Sequence, residues 1–273
     1  MKVAQPDAAQ PGEPGARAGA AIEICGLTHS YPDGTAALRG VDLRVAPGEA
    51  LAIVGANGAG KSTLLLHLNG LLLPGSGNVR VADLLIENGT RAGPSPSTLR
   101  ELRRRVGFMF QDADDQLFMP NVQDDVAFGP LNLGLSEPQV QHRVQAALAA
   151  VGAAALAARS THRLSGGEKR AVALAGVLAM TPSVLVLDEP SAGLDPASRR
   201  TLIELLRGLP QTRVVATHDL LLALDLCPRV VMLHEGRVLA DGPTQALFAD
   251  EALLQRCHLE LPHVTAASAT GLR

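Results

Sequence analysis

Three cysteines, Cys25, Cys227 and Cys257, are scattered along 273 residues with no C-x-x-C pair. That scarcity fits a reducing compartment and argues against a structural zinc site. Positive charge is not in excess either: 24 Lys and Arg stand against 27 Asp and Glu, a formal net charge of -3. The chain therefore lacks the global basic field that draws proteins to phosphate backbones, and no nucleic-acid partner is expected. No stretch approaches the roughly 20 apolar residues that cross a bilayer as a helix. The alanine-rich run from Ala146 to Ala158 is too short and is flanked by Gln145 and Arg159. Met1 to Gly19 mixes Pro, Gly, Ala and Gln without the apolar core of a signal peptide, and residues 1–20 read as a disordered tail. No internal repeat is evident, and Thr265 to Arg273 looks frayed.

The length suits one large α/β domain carrying an inserted subdomain. From Ala21 the pattern is strand-like: Ile22, Ile24 and Leu27, then Val41, Leu43 and Val45, each segment closed by Pro or Gly turn signals. The apolar run Leu51 to Val54 ends in a Gly-rich turn, after which Leu64, Leu65 and Leu68 recur at helical spacing. Two further runs, Val184 to Leu187 and Arg213 to Thr217, end in Asp188-Glu189 and in His218-Asp219. Runs of this kind suit a parallel sheet buried on both faces. Between them the texture turns helical, with a pattern over Glu137 to Ala158 and a long Ala/Leu run after Ser165, so a helical subdomain inserted over about residues 112–182 is expected. The expected domain spans residues 21–249, followed by an extension over 250–273.

Gly55-Ala56-Asn57-Gly58-Ala59-Gly60-Lys61-Ser62 matches G-x-x-x-x-G-K-[ST] and lies between an expected strand and an expected helix, as its mechanism requires. Gly55, Gly58 and Gly60 let the N–H groups of the loop, Asn57 included, converge on phosphate oxygens, and the helix start adds its positive dipole end. Lys61 would reach the β- and γ-phosphates of a nucleotide, Ser62 would place its hydroxyl on Mg²⁺, and Thr63 would assist. Asp188 and Glu189 sit at the C-terminal edge of a parallel sheet, where open α/β folds bind ligands. Asp188 would hold Mg²⁺ and Glu189 would orient or deprotonate the attacking water, with His218 hydrogen-bonding to that water or to the γ-phosphate. Leu164-Ser165-Gly166-Gly167-Glu168 fits a helix-capping box, and two glycines at a helix N-terminus equally suit a phosphate.

Taken in order, these segments resemble the ABC-family ATPases over roughly Ile22 to Leu247. Gly55 to Thr63 matches the Walker A loop, Val184 to Glu189 the Walker B strand and Leu164 to Glu168 the signature. Gln111 matches the Q-loop glutamine, Ser191 to Asp195 the D-loop and His218 the switch histidine. The resemblance implies a P-loop NTPase fold of the ABC type: a mixed sheet core, an N-terminal antiparallel β subdomain and the inserted helical subdomain. It implies an ATPase binding ATP and Mg²⁺, with Ser62, Gln111 and Asp188 around the metal and Tyr31 either stacked on adenine or packed beside Pro32. It also implies that Ser165, Gly166 and Gly167 complete the site of a second ATPase subunit, taken to be a copy of the same chain.

Gln111 to Phe118 and Asp125 to Pro130 resemble the energy-coupling-factor (ECF) importers of vitamins and metal ions. Within that group Val172 to Met180, Ala216 to Asp219 and Leu259 to Pro262 are most similar to the ATPases of cobalt and nickel importers. Two positions depart from the pattern, Ala113 where proline is common and Ser191 in place of threonine. The implied partners are membrane-embedded transporter subunits and a substrate-binding membrane subunit, met at the cytoplasmic face of the cell membrane by a peripheral protein. Vitamin uptake is the alternative within the group. A soluble ABC ATPase would show heptad arms or a second cassette, and a P-loop kinase or GTPase would leave the signature without a role. Cys257, His258 and His263 have no convincing metal-ligand spacing and read as surface or core residues, and Arg100 to Arg105 reads as the solvated face of a short helix.

Overall fold

A computed structural model describes residues 19–87 and 93–260. The expected tail up to residue 18, His263, Leu261-Pro262 and the frayed end from Thr265 lie outside the described residues.

The first two strands, β1 (Ile22–Ser30) and β2 (Ala36–Val45), pair antiparallel with Ile22 opposite Val45 and Ile24 opposite Leu43. Their apolar residues point to one side and are buried, the alternation that a half-covered antiparallel sheet demands. After β3 (Ala50–Val54), which belongs to a second sheet, β4 (Ser76–Val81) and β5 (Leu84–Glu87) complete the first in the order β2-β1-β4-β5. The second sheet adds β6 (Val106–Met109), β7 (Val184–Asp188), β8 (Thr212–Ala216), β9 (Arg229–His234) and β10 (Arg237–Pro243). Its order is β10-β9-β3-β8-β7-β6, parallel throughout except for the antiparallel edge strand β10. This is the expected mixed core. β3, β7 and β8 are buried at every residue, which is why they read as unbroken apolar runs rather than alternations. β4, β5, β9 and β10 have no counterpart among the expected strands.

Alternate residues of the second sheet enter two separate cores. Ile53, Val186 and Val214 face the first sheet together with Leu64 and Leu65 of α1 (Lys61–Leu68). Ala52, Leu185 and Val215 face the opposite side. α2 (Pro96–Arg105) buries Leu102, and its basic face is less solvated than expected. There Arg103 donates to the carbonyls of Asn69 and Gly70, and Arg105 pairs with Asp83 and Glu101. Between β6 and β7 come α3 (Val122–Asn132), α4 (Glu137–Ala150) and α5 (Gly166–Ala179), which share a third core of Val126, Val140, Val144, Leu148 and Val172. The expected helix from Glu137 to Ala158 is corrected here: it stops at Ala150, Gly152 takes φ 70°, and Ala154–Leu156 is a separate 3-10 turn. An alanine-rich run carries little periodic signal, so the left-handed glycine decides the end. α6 (Pro196–Arg207) and α7 (Leu220–Leu226) cover the second core with Leu202, Leu206 and Leu222, and α8 (Thr244–Phe248) and α9 (Glu251–Arg256) close it. Cys257 is a core residue there, fully buried, with its thiol pushed up by burial.

Candidate functional site

The loop from Gly55 to Gly60 leaves the end of β3 and enters α1 directly. Two positions in it admit only glycine. A β-carbon on Gly55 would lie 2.2 Å from the Leu233 carbonyl oxygen, and Gly60 combines φ 103° with a β-carbon position 2.6 Å from the Ala37 carbonyl oxygen. The first turn of α1 has no side-chain cap, so its N–H groups stay open to an anion. Lys61 folds back over the loop, with Nζ donating to the carbonyls of Gly55 at 2.7 Å and Ala56 at 3.2 Å. Burial lowers the Lys61 pKa, against the pull of Glu189 and Asp188. Tyr31 stands beside the loop, its hydroxyl 2.9 Å from the Thr63 hydroxyl and its ring edge-on to His29.

At the end of β7 the two carboxylates part. Asp188 is buried, and its Oδ1 has no hydrogen-bond partner. Burial raises its pKa and the charge of Glu189 adds to that, opposed by the Ser62 hydroxyl and Lys61. Glu189 turns away at φ 47°, a left-handed conformation that costs a non-glycine residue about 1–3 kcal/mol. Its carboxylate is held at the end of β8: Oε2 accepts from the Thr217 hydroxyl at 3.0 Å, and Oε1 accepts from the His218 main-chain N–H at 3.0 Å and lies 2.8 Å from His218 Nδ1. Against an ionised carboxylate Nδ1 must be the donor. Thr217 was not among the expected site residues, although it adjoins His218 in the sequence.

A cleft of about 680 Å³ beside these strand ends is lined by Ser62, Gln111, Asp112, Asp115, Arg170 and Asp188, among others. It gathers the hydroxyl, amide and carboxylate oxygens of Ser62, Gln111 and Asp188, a donor set for a hard cation. The unpartnered Asp188 Oδ1 is the group that such a cation would satisfy.

Ser165, Gly166 and Gly167 do not line that cleft. The Ser165 hydroxyl accepts from the Glu168 N–H at 3.3 Å and Glu168 accepts from the Ser165 N–H at 2.7 Å, so the capping box is real. Glu168 also pairs with Arg159 at 2.9 Å. Ser165 and Gly166 are exposed, and a β-carbon on Gly166 would meet nothing within 4 Å. The turn therefore presents an exposed helix N-terminus outside that cleft. The D-loop carries a further network: the Ser191 hydroxyl donates to Asp219 at 3.3 Å, and Arg199 donates to the same oxygen at 3.0 Å. Asp219, next to His218, also caps α7 through the Leu222 N–H.

A sequence profile described as ABC transporter matches residues 38–192. A putative ABC transporter ATP-binding protein of Geobacter sulfurreducens is 55% identical over 241 residues, covering 88% of this chain and 94% of its own length. The cobalt import ATP-binding protein CbiO of Rhodobacter capsulatus is 52% identical over 241 residues, covering 87% of this chain and 84% of its own. Among solved structures, cbiO1 of Clostridium perfringens, described as part of the ABC transporter complex cbiONQ, superposes with a TM-score of 0.74 at 40% identity. That superposition covers 88% of this chain and 95% of the other.

Proposed function

The chain belongs to the ABC transporter family, and on that premise we propose that it is the dimeric ATPase of an ECF-type importer taking up cobalt or nickel ions. As a family member it is an ATP-binding, ATP-hydrolysing transporter subunit. The observation that carries the dimer is the division of the site: Lys61, Ser62, Asp188, Glu189 and His218 lie at the strand ends of one chain, while Ser165 and Gly166 stand exposed at the head of α5; the metal reading is supported by the similarity to the cobalt import protein and to cbiO1. A phosphate bound on the Gly55–Thr63 loop would be capped by that turn of a second copy.

In this mechanism the loop N–H groups and the start of α1 cradle the phosphates, and Lys61 exchanges the Gly55 and Ala56 carbonyls for β- and γ-phosphate oxygens. Tyr31 offers its ring to the adenine. Ser62, Gln111 and Asp188 fit Mg²⁺, which supplies charge neutralisation on the phosphates when bound. Glu189 accepts a hydrogen bond from the attacking water, and His218, held against it, reaches towards the γ-phosphate.

Among the described residues no helix is long and apolar enough to cross a membrane, so uptake requires separate membrane subunits. Phe118 (61% exposed), Phe128 (43%) and Leu131 (57%) form an apolar surface, the two rings edge-on at 4.7 Å. Exposed Asp112, Asp114 and Asp115 precede it in the chain. This surface suits a membrane subunit presenting an apolar, basic segment, and it supports the reading of a peripheral protein at the cytoplasmic face.

The deciding experiment is purification of the tagged chain from detergent-solubilised membranes of its own host, with identification of what accompanies it and a cobalt and nickel uptake assay on the recovered complex. Small multispanning proteins that confer ATP-dependent metal uptake are expected. A vitamin-binding subunit would keep the ECF reading and displace the metal, and recovery of soluble nucleic-acid proteins alone would overturn transport.

A further inference from the structure

Arg170 is on α5, five residues after the exposed Ser165 turn, and its guanidinium leaves the helix in the direction of the phosphate site. Nη2 donates to the main-chain oxygen of Gln111 at 2.8 Å. Nη1 lies 3.9 Å from the position of a β-carbon built on Gly193, in the D-loop. The side chain lines the cleft that holds Ser62, Gln111 and Asp188. It also lines a second, apolar crevice of about 270 Å³, formed between α5 and α6 with Leu174, Leu194, Leu202 and Leu205. One residue of the helix that carries the signature turn thus bonds to the Gln111 segment and lines both cavities beside the D-loop residues Ala192 and Leu194.

Stability alone does not account for an arginine here. Its Nε is buried without a hydrogen-bond partner, which is unfavourable for a charged donor, and an aliphatic side chain would fill the same space beside Leu174 and Leu202 without leaving a donor unmet. What arginine adds is reach and a rigid fork, several donors fixed in one plane on a long stem. The charged groups facing it are Asp112, next to Gln111, and Glu189. Both lie on the nucleotide side, so the guanidinium is drawn towards that side while its stem stays anchored in α5.

We propose that Arg170 is a positioning residue that couples the Gln111 cleft of its own chain to the signature turn offered to the partner. A displacement of the Gln111 main chain when nucleotide and metal enter the cleft is passed through the Nη2 hydrogen bond to α5. The Ser165–Gly167 turn at the head of that helix moves with it. D-loop residues Ala192 and Leu194 line the same two cavities as the guanidinium and its stem. The inference rests on the reading of the chain as an ATPase with sites shared between two copies.

The test compares Arg170→Met and Arg170→Lys with the parent chain, each also in a Glu189→Gln background that halts turnover. Nucleotide affinity is read with a fluorescent ATP analogue, dimerisation by light scattering with Mg²⁺ and ATP, and motion by hydrogen exchange. Arg170→Met should bind the analogue within about twofold of the parent, yet lose turnover and ATP-driven dimerisation by about tenfold or more, the size of a broken coupling. Arg170→Lys, able to reach the Gln111 carbonyl but without the rigid planar fork, should recover part of the loss. Independently of any variant, the unmutated chain diluted below its dimerisation range should change its exchange at residues 165–170 as well as 111–115 when Mg²⁺ and ATP are added. Normal turnover and dimerisation in Arg170→Met, or an exchange change confined to residues 111–115, would overturn the coupling while leaving the ATPase intact. A parent chain that neither binds nor hydrolyses ATP would overturn both.

Discussion

His218 Nδ1 lies 2.8 Å from Glu189 Oε1, across the ends of the adjacent parallel strands β7 and β8. The carboxylate is therefore held in one orientation by Thr217 and His218, both at the end of β8, with its own backbone at φ 47°. In its proposed role as general base, Glu189 then needs no search for its orientation once a nucleophilic water is placed.

Glu189→Gln should reduce ATP turnover by about 10²–10⁴-fold, the usual worth of a general base. The amide keeps a carbonyl oxygen for His218, and its NH2, in place of Oε2, donates to the Thr217 hydroxyl oxygen instead of accepting from it, so the local geometry survives. The Gly55–Ser62 loop and Lys61 are untouched, and ATP affinity should stay near that of the parent. Steady-state hydrolysis together with equilibrium nucleotide binding checks both halves, and near-normal turnover would remove Glu189 from its assigned role.

Thr217 makes a second prediction. It is fully buried, its hydroxyl donates to Glu189 Oε2, and the same hydroxyl oxygen accepts the Asp219 N–H at 3.0 Å. Thr217→Val keeps the shape and leaves a buried carboxylate oxygen and a main-chain donor without partners, a loss of about 1–3 kcal/mol. In a domain of this size that lowers Tm by about 2–4 °C per kcal/mol. Turnover should fall with KM nearly unchanged, since no phosphate contact is lost. A fall in ATP affinity without one in kcat would place Thr217 in binding rather than in aiming the base.

The parts of the site that the sequence displays are those imposed by local backbone. The Gly55–Lys61 loop needs glycine where a β-carbon would strike Leu233 or Ala37, and that need leaves a motif. The signature turn likewise shows itself as a capping box. Glu189 and His218 stand out as residues ending apolar runs, but Thr217 and the contact among the three left no comparable trace, because that contact depends on β7 and β8 being neighbours, a fact of strand order. Arg170 reaches Gln111 across the gap between α5 and the loop after β6, and nothing in its sequence context marks it out. The end of α4 was misplaced for the opposite reason: alanine after alanine satisfies a helical pattern that Gly152 in fact breaks.

Ser165→Arg should separate binding from closure. The side chain it replaces is exposed and its hydroxyl caps α5, so the cost within one chain is that of a lost cap, about 1 kcal/mol. Monomer affinity for ATP should be unaffected because the turn does not line the nucleotide cleft of its own chain. Bulk at the place where a partner's γ-phosphate should rest would block ATP-driven dimerisation, and turnover with it. Size-exclusion chromatography with Mg²⁺ and ATP in a Glu189→Gln background reads this directly, and an undiminished dimer would sink the shared site.

Asp188→Asn should trade function for stability, with a sign that depends on ligand. Burial, helped by the Glu189 charge, holds the Asp188 pKa above its ordinary 3.8, so the folded chain binds that proton more tightly than the unfolded one. Stability then falls as pH rises from 3.8 through the raised folded value, and the deficit persists at neutral pH. Asparagine does not titrate. Without nucleotide the variant should therefore be the more stable protein at neutral pH, and its advantage should vanish as pH drops below 3.8, where the parent aspartate is also neutral. Adding Mg²⁺ and ATP should reverse the order, because a ligand at a hundred times its Kd stabilises the parent by about 2.7 kcal/mol while the variant lacks a metal-facing carboxylate. Thermal unfolding across this pH range, with and without Mg²⁺ and ATP, gives both comparisons. A variant less stable than the parent in the absence of ligand would show that the unpartnered Oδ1 is not under strain. One stabilised equally by Mg²⁺ and ATP would take Asp188 out of the metal site.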